Sequence, residues 1–525
     1  MGRGLPARKE IECDVVIVGA GPAGLAAAIR LKQLSADLDV VVVEKGLEVG
    51  ADILSGAVID PVGLDRLLPD WRTDQTCPIK QPVADDRFYW LGEKVAVRLP
   101  TFLMPPMMSN KGNFIVSLGN VCRWLGKKAK ALGIRIYSGF AVTEVLYGPG
   151  GEVVGVATGN MKIDKNGNPK ESCIGGIELR GKYTLIAEGA RGRLSKAIIA
   201  RFALDQDRDP QKFGIGLEEL WQVRADKHRP GLIQHSFGWP LRNATGGGSF
   251  LYHLEQNRVA VGSVVHLDDH NPFEELQRFK THPLVRSTFE GATRLLCGTR
   301  ATTAGGWQSV PKLAFPGGAL IGCAAGFMNV ARIKGSHNAI WSAILAAEHT
   351  ATALAAGRAH DELTSYEMGW RGSAIGRELR KVRNLKPLCS KLGTVVGIAL
   401  GGFDIWTNTL GFSLFGTLHH GKSDPLRPQR AELHAPQDLR HQGSKRVTPD
   451  LALSHRRRVV MKVMHNPQRP GHQNDDDIHR QEKRHEAPPS IEPLGQSPAA
   501  ARTDIQIERS ETIPRKTRRS QGRIY

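Results

Sequence analysis

Cysteine is sparse and unpaired in this chain: Cys13, Cys77, Cys122, Cys173, Cys297, Cys323 and Cys389 lie scattered among 525 residues with no close CxxC pair. No secretory h-region opens the sequence either. The pattern excludes a disulfide scaffold and a dithiol redox motif, and it favours a reducing compartment. No spacing of serine, histidine and aspartate assembles a hydrolytic triad, no two carboxylates are paired for acid–base work, and no metal-ligand set is present, so no catalytic side chain or metal is assigned. Histidines such as His235, His253, His337 and His349 are read as satisfied or exposed polar residues. Zinc-ligand spacing, an aromatic RNA-binding motif and a recognition-helix signature are also missing, which weighs against nucleic acid as a partner.

Positive charge, by contrast, is plentiful: 71 Lys and Arg against 52 Asp and Glu give a net +19. Such a balance suits an anionic membrane surface, nucleic acid or an acidic protein without choosing among them. Hydrophobic residues at 41% and charged residues at 23% match a globular protein that folds mainly in water. At 525 residues the chain is too long for one ordinary core and predicts two or three domains sharing a large interior.

The fold class read from the pattern is α/β. Residues 14–18 (DVVIV) form a strand, 19–24 (GAGPAG) a turn, 25–34 a helix and 40–44 a second strand, which is one βαβ unit opening a doubly wound sheet. Gly19 permits the tight turn, Gly21 lets a pyrophosphate approach the backbone, and Gly24 lets helix and strand pack closely. Glu44, closing the second strand, is placed to accept hydrogen bonds from a ribose. Two further strand-to-turn elements follow, at Glu188-Gly189 and from Gly322 to Gly326. A long cofactor gripped again near its ribityl chain and flavin needs such elements, and no second GxGxxG supplies a pyridine-nucleotide domain, so FAD is expected. A helix is predicted from about Ser336 to Ala355. Between the separated segments, residues 205–296 read as an inserted antiparallel sheet with a Gly-rich turn at 246–249.

Five stretches together resemble the electron transfer flavoprotein-ubiquinone oxidoreductase family: 52–57 (DILSGA), 215–221 (IGLEELW), 247–253 (GGSFLYH), 309–318 (SVPKLAFPGG) and 322–329 (GCAAGFMN). The resemblance runs from about 12 to 425. It implies a discontinuous FAD-binding domain (1–204 and 297–365), an inserted quinone-binding domain (205–296), and a segment (366–425) that lies on the membrane and begins a ferredoxin-like domain carrying a 4Fe-4S cluster. Electron transfer flavoprotein and ubiquinone are the implied partners. Gly247 and Gly248 resemble the family's quinone-contacting pair, where backbone without side chains lets a flat headgroup approach; an ordinary hairpin turn is the alternative. Ser55 and Gly56 resemble positions near the flavin ring. Cys323 reads as a small buried residue rather than a reactive thiol. In this reading the flavin itself carries the electrons. An FAD-dependent monooxygenase or halogenase, another flavoprotein dehydrogenase of a small molecule or lipid, and a flavin-binding scaffold without activity stay open.

Residues 392–406 are apolar but broken by Asp404 and several glycines, short of the roughly 20 residues a span requires. With Lys381, Arg383, Lys386 and Lys391 before it, the segment reads as a surface-inserting wedge with a basic flank, a buried core hairpin being the alternative. Residues 1–12 are brief for a mitochondrial transit peptide; together with the family resemblance this points to the cytoplasmic face of a bacterial inner membrane, a processed mitochondrial form being the alternative. From 426 to 525 the composition turns Arg-, His-, Pro- and Gln-rich, with no cysteine, phenylalanine or tryptophan. Such a tail cannot bury enough apolar surface to fold alone. The family's cluster ligands are absent from it, which suggests a shifted reading frame near 426, a diverged basic tail being the alternative.

Overall fold

The computed structural model describes residues 8–53, 56–163, 169–266 and 271–421; Ser55 and the tail from 426 lie outside the described residues. The chain begins with β1 (Lys9–Val18), α1 (Pro22–Leu34), β2 (Val40–Glu44), β3 (Ala57–Ile59), α2 (Val62–Leu67), β4 (Gln81–Pro82), β5 (Asp85–Leu91) and β6 (Ala96–Leu99). It continues through β7 (Phe114–Val116), α3 (Leu118–Ala131), β8 (Arg135–Ser138), β9 (Val142–Tyr147), β10 (Val153–Thr158), β11 (Met161–Ile163), β12 (Pro169–Ile174), β13 (Ile177–Ile186) and α4 (Arg193–Arg201). Then follow β14 (Phe213–Gln222), β15 (Leu232–Gly238), β16 (Gly247–His253), β17 (Arg258–His266), α5 (Pro272–Thr281), α6 (Pro283–Arg286) and β18 (Thr293–Thr303). The last described elements are β19 (Ala314–Phe315), β20 (Gly318–Leu320), α7 (Ser336–Ala355), α8 (Thr364–Gly372), α9 (Ala374–Lys381), α10 (Leu385–Leu392) and α11 (Thr394–Thr409).

The first sheet runs β19-β20-β13-β1-β2-β8, with β10 paired to β13 and β9 to β10. Its centre is parallel, and Val15, Val16, Ile17, Val41 and Val42 are fully buried. A parallel sheet is covered on both faces, which is why these strands are continuous β-branched runs rather than alternating ones. Helix α1 packs against α7. Both are rich in alanine at the contact, Ala26, Ala27 and Ala28 on one side and Ala343, Ala346 and Ala347 on the other, all buried.

The second sheet runs β18-β14-β17-β16-β15-β5-β6 and is antiparallel except for the parallel β15–β5 pair. One of its faces packs Leu217, Leu251, Val259 and Val261 against Leu276 and Phe279 of α5. The other packs Leu220, Ile233, Phe250 and Tyr252 against Val58 and Ile115 of a small three-stranded sheet, β3-β7-β4. Two strands of this sheet, β5 and β6, come from 85–99, far upstream of the predicted insertion. The glycines expected in a turn at 246–249 mostly sit in a strand, with Gly247 opposite Val265 and Gly248 opposite Val264. The chain reverses upstream instead, where Leu241 N bonds Gly238 O and Thr245 N bonds Arg242 O.

One buried ionic knot holds α9 to the start of α2. Arg332 forks between Asp60 (2.6 Å) and Glu378 (3.0 Å), while Glu378 also pairs with the His337 ring at 2.9 Å and accepts from Asn329 at 2.7 Å. Burial pushes the Glu378 carboxyl up, but the His337 bond and charge, the Arg332 charge and the Asn329 amide more than reverse this and bring it down to about 2, from 4.5. A carboxyl whose folded pKa lies below its unfolded one contributes stability that is present above the unfolded value and lost as pH falls toward the folded value. Urea unfolding between about pH 5 and pH 2 should therefore show wild-type stability falling by about 3 kcal/mol more than that of Glu378→Gln. Parallel pH profiles would refute the assignment.

Candidate functional site

The glycine turn after β1 is shaped by contacts that leave no room for a side chain. Gly19 (φ +106°) lies so close to the end of β13 that a Cβ would stand 2.6 Å from the Ala187 carbonyl oxygen, and one on Gly24 would stand 1.9 Å from that of Gly19. Gly21 would meet nothing within 4 Å. Its open side is the groove above the turn. Helix α1 starts with Pro22 behind an N-cap Gly21 that provides no side-chain cap, so its first-turn amides are left for an anion. Glu44 braces this turn: Oε2 accepts from Ala20 N (2.7 Å) and Oε1 from Gly46 N (2.8 Å), with lone pairs remaining for ribose hydroxyls.

Three strand ends meet here. β13 leads to Gly189 and β20 to Gly322, and the Gly322 turn packs on α1, where its Cβ would lie 2.8 Å from that of Ala23. Gly326 lies against Gln211. Of the predicted cofactor residues, Gly19, Gly21, Gly24, Glu44, Gly189 and Gly322 gather at the C-terminal end of the first sheet. Gly56 faces the second sheet, where a Cβ would meet Glu218 Oε1 at 2.2 Å and the Ala260 methyl at 2.3 Å. The Cys323 thiol is pushed up by burial, which keeps it protonated.

Gly247 and Gly248 lie apart from that cradle, on β16. Alternation places Gly248, Phe250 and Tyr252 on the sheet face that looks toward β3 and β7. A buried polar cluster occupies the same face, and the sequence reading missed it. The Tyr252 hydroxyl bonds His235 Nε2 at 2.8 Å; Lys334 donates to the Asn110 side-chain oxygen, and the Asn110 amide donates to Asp86 at 2.8 Å. Burial lowers His235 to about 3 and keeps its ring neutral, while burial beside the Arg332 charge brings Lys334 down to about 8. Strand alternation in 85–91 and 232–238 was the one available signal. His253 accepts from Arg229 N at 3.1 Å, and His337 belongs through Nε2 to the Glu378 knot, its Nδ1 left without a partner among the described residues.

The loop that feeds Gly247 is bonded to α11. Asn243 accepts from Thr394 N (2.7 Å) through its main-chain oxygen and from Val395 N (2.9 Å) through its side chain, and Thr394 Oγ1 donates to the Thr245 carbonyl. Among the described residues no helix is long and apolar enough to cross a membrane. Helix α11 nonetheless exposes Val395, Val396 and Phe403, followed by Leu410, Phe412 and Leu414. The Trp406 indole donates to Leu103 O (2.9 Å), which sets exposed Phe102 and Leu103 beside it. Asp404 points inward, 1% exposed, and accepts from Asn384. Arg383, predicted in the basic flank, is buried too: its guanidinium serves Gly416 O, Arg380 O and Asn408.

Residues 213–302 match the family model "ETF-QO, ubiquinone-binding", and 17–70 match "NAD(P)-binding Rossmann-like domain". The electron transfer flavoprotein-ubiquinone oxidoreductase of Pseudomonas aeruginosa is 48% identical over 79% of this chain and 77% of its own length. This chain belongs to that family. The mitochondrial relative of Rattus norvegicus is 46% identical over 80% of this chain and 70% of its own. Among solved structures, a geranylgeranyl bacteriochlorophyll reductase-like protein from Thermoplasma acidophilum aligns at TM-score 0.57 and 19% identity over 76% of this chain and 92% of that one. A flavin-dependent brominase aligns at TM-score 0.53 and 16% identity, over the same shares. These two share the fold.

The residues present fit a dinucleotide: an uncapped helix start, an open glycine beside it, and an acid at the second strand's end. They do not fit the family's 4Fe-4S cluster. No cysteine follows Cys389, and among the described residues no three His, Cys, Asp or Glu side chains gather as ligands.

The two inner glycines should separate in a stability measurement made without added ligand. Gly24→Ala forces a methyl against the Gly19 carbonyl and should cost about 1–3 kcal/mol. Gly21→Ala should stay within about 0.5 kcal/mol of wild type. Equal losses in thermal unfolding would contradict this geometry.

Proposed function

We propose that this chain is an FAD-dependent oxidoreductase that accepts electrons from reduced electron transfer flavoprotein and passes them to ubiquinone at a membrane surface. Bound FAD would supply reversible storage of two electrons, which the side chains here cannot provide. Gly19, Gly21, Gly24 and the α1 amides hold its diphosphate. Glu44 takes a ribose, Gly189, Gly322 and Gly326 line the middle of the cofactor, and Gly56 lies by the ring. Gly247 and Gly248 present bare backbone to the quinone headgroup.

The observation that carries this reading is the bonding of one loop in two directions. Residues 243–245 tie the start of β16 to α11, whose outer face is apolar, while the sheet containing β16 packs through Phe250 and Tyr252 onto the cofactor-side segment. A lipid-soluble acceptor leaving the bilayer therefore meets Gly247 and Gly248 first. Quinone reduction also consumes two protons. Lys334, near 8, holds an exchangeable proton on the same sheet face as the His235–Tyr252 pair, beside Asp86, whose carboxyl burial pushes up. Residues 1–204 with 297–365 make up the FAD domain, apart from β5, β6 and β18, which pair in one sheet with strands of the quinone domain, 205–296; 366–425 is the membrane segment, and the surface is the cytoplasmic face of a bacterial inner membrane.

Purified chain should carry flavin in its visible spectrum, and after photoreduction it should be reoxidised by a short-tailed ubiquinone analogue. Gly21→Val, which the fold accommodates, should lose the flavin. A colourless wild type, or full flavin occupancy in Gly21→Val, would sink the cofactor assignment. The same preparation should give no iron–sulfur EPR signal on reduction, and its reaction with reduced electron transfer flavoprotein should be severely slowed for want of the cluster. A stoichiometric 4Fe-4S signal would overturn that expectation.

Membrane attachment has its own test. Phe403→Ser combined with Trp406→Ser removes two large rings from the apolar wedge and should shift the protein from the vesicle pellet to the supernatant in sedimentation. Unchanged pelleting would rule out α11 as the anchor.

A further inference from the structure

Arg300 stands in β18, the edge strand of the second sheet, opposite Gly216. Its side chain leaves that sheet and reaches over the groove of the first. Nη1 donates to the Asp52 carbonyl at 3.1 Å, and the other terminal nitrogen lies 3.6 Å from where a Gly189 Cβ would be. Two thiols, the fully buried Cys122 of α3 and the part-buried Cys323 of the Gly322 turn, are raised chiefly by burial, and both are drawn partly back by the Arg300 charge. The guanidinium thus hangs over the point where the three strand ends meet.

Its charge is unneutralised there. Glu44 spends its two oxygens on Ala20 N and Gly46 N, and Glu188, beside Gly189, accepts from Ser195 N at 2.8 Å and the Ser195 hydroxyl at 3.2 Å in the first turn of α4. Asp52 offers Arg300 its main-chain oxygen, not its carboxylate. Among the described residues Arg300 has no ion-pair partner, and it remains exposed. An unpaired guanidinium held beside the Gly189 turn, at the same strand ends as a helix start with free amides, is complementary to a diphosphate: a planar fork of donors from one sheet and oriented N–H groups from the other.

We propose that Arg300 is a cofactor-binding residue that clamps the diphosphate of FAD from the second sheet, closing the groove opposite the α1 N-terminus. The inference rests on the reading that this groove holds FAD. Because the clamp comes from the quinone-side sheet while the cradle comes from the first, bound cofactor would cross-link the two.

The test is titration of deflavinated full-length protein with FAD, followed by flavin fluorescence, for wild type, Arg300→Ala, Arg300→Gln and Arg300→Lys. Losing hydrogen bonds to a charged group should weaken FAD binding about ten- to a hundredfold in the Ala and Gln variants. Lys should recover part of the loss, since it keeps the charge but not the fork. ADP and adenosine locate the contact: Arg300→Ala should weaken ADP by a similar factor and leave adenosine unchanged. Thermal midpoints of the ligand-free variants should match wild type. FAD affinity unchanged in both Ala and Gln variants would overturn the clamp, as would an equal loss for ADP and adenosine. Failure of wild type to take up FAD at all would instead remove the cofactor reading on which the clamp stands.

Discussion

The close approach of α1 to the ends of β1 and β13 is the constraint on which the rest of the site depends. Carbonyl oxygens of Gly19 and Ala187 occupy the space that side chains on Gly24 and Gly19 would need. Helix and sheet therefore meet backbone to backbone, and the first-turn amides of α1 are delivered to the rim of the sheet without a cap. Uncapped amides in a groove are poorly solvated by protein, and an anion is the partner that satisfies them best. The same packing draws in the Gly322 turn against Ala23, so one helix position fixes three turns at once. Glu44 belongs to this arrangement as much as to any ligand, because both its oxygens hold the chain that forms the turn.

The second sheet works as a wall with two different faces, and two consecutive glutamates show it. Glu219 points to the α5 side, where burial would raise it but Lys280 at 2.6 Å and Arg294 at 3.1 Å hold it ionised and lowered. Glu218 points to the other side, where Gly262 and Gly298 stand opposite it on the neighbouring strands and, among the described residues, no cation pairs with it. Burial alone pushes its carboxyl well above the usual range. One face is thus bound to its helix by ions as well as apolar contact. The other holds its titratable groups, Glu218, Tyr252, His235 and Asp86, against the segment of β3 and β7, with burial as the main cause of every shift.

Local chemistry made the first βαβ unit legible, since strand, glycine turn, helix and terminal acid each follow short-range rules. The α7 boundaries were equally plain, at Ser336 and Ala355. The second sheet was harder. Its β5 and β6 strands lie more than a hundred residues before β14, and pairing of Asp85 with Leu232 or Phe88 with His235 is a long-range event with no local signature. Gly247 and Gly248 misled for a related reason: glycine usually marks a turn, yet here Val264 and Ser236 backbone crowd the two positions and strand pairing excludes a Cβ. The polar cluster around Lys334 was invisible because its members, Asp86, Asn110, His235, Tyr252 and Lys334, come from five separate segments. Family resemblance, not periodicity, pointed to the glycine pair and to the missing cluster ligands.

Asp404 decides how α11 meets a membrane. On a line of sequence it interrupts an apolar run and lowers the segment's claim to insert at all. On the helix it faces inward, where Asn384 donates to it at 3.0 Å and Arg383 lies close enough to oppose part of the rise that burial imposes. The outward face is then left apolar through Val395, Val396 and Phe403 without a charge to desolvate. A helix of 16 residues rises about 24 Å, less than the hydrocarbon core, so α11 is too short to span a bilayer, and its polar inner and apolar outer faces suit the interfacial placement proposed for it. On the proposed reading that orientation would place the α11 N-terminus, bonded to Asn243, at the level of the headgroups. The strand bearing Gly247 and Gly248 would then start where a lipid-soluble acceptor leaves the bilayer, and the acid that interrupts the apolar run is what leaves the outer face of α11 uncharged.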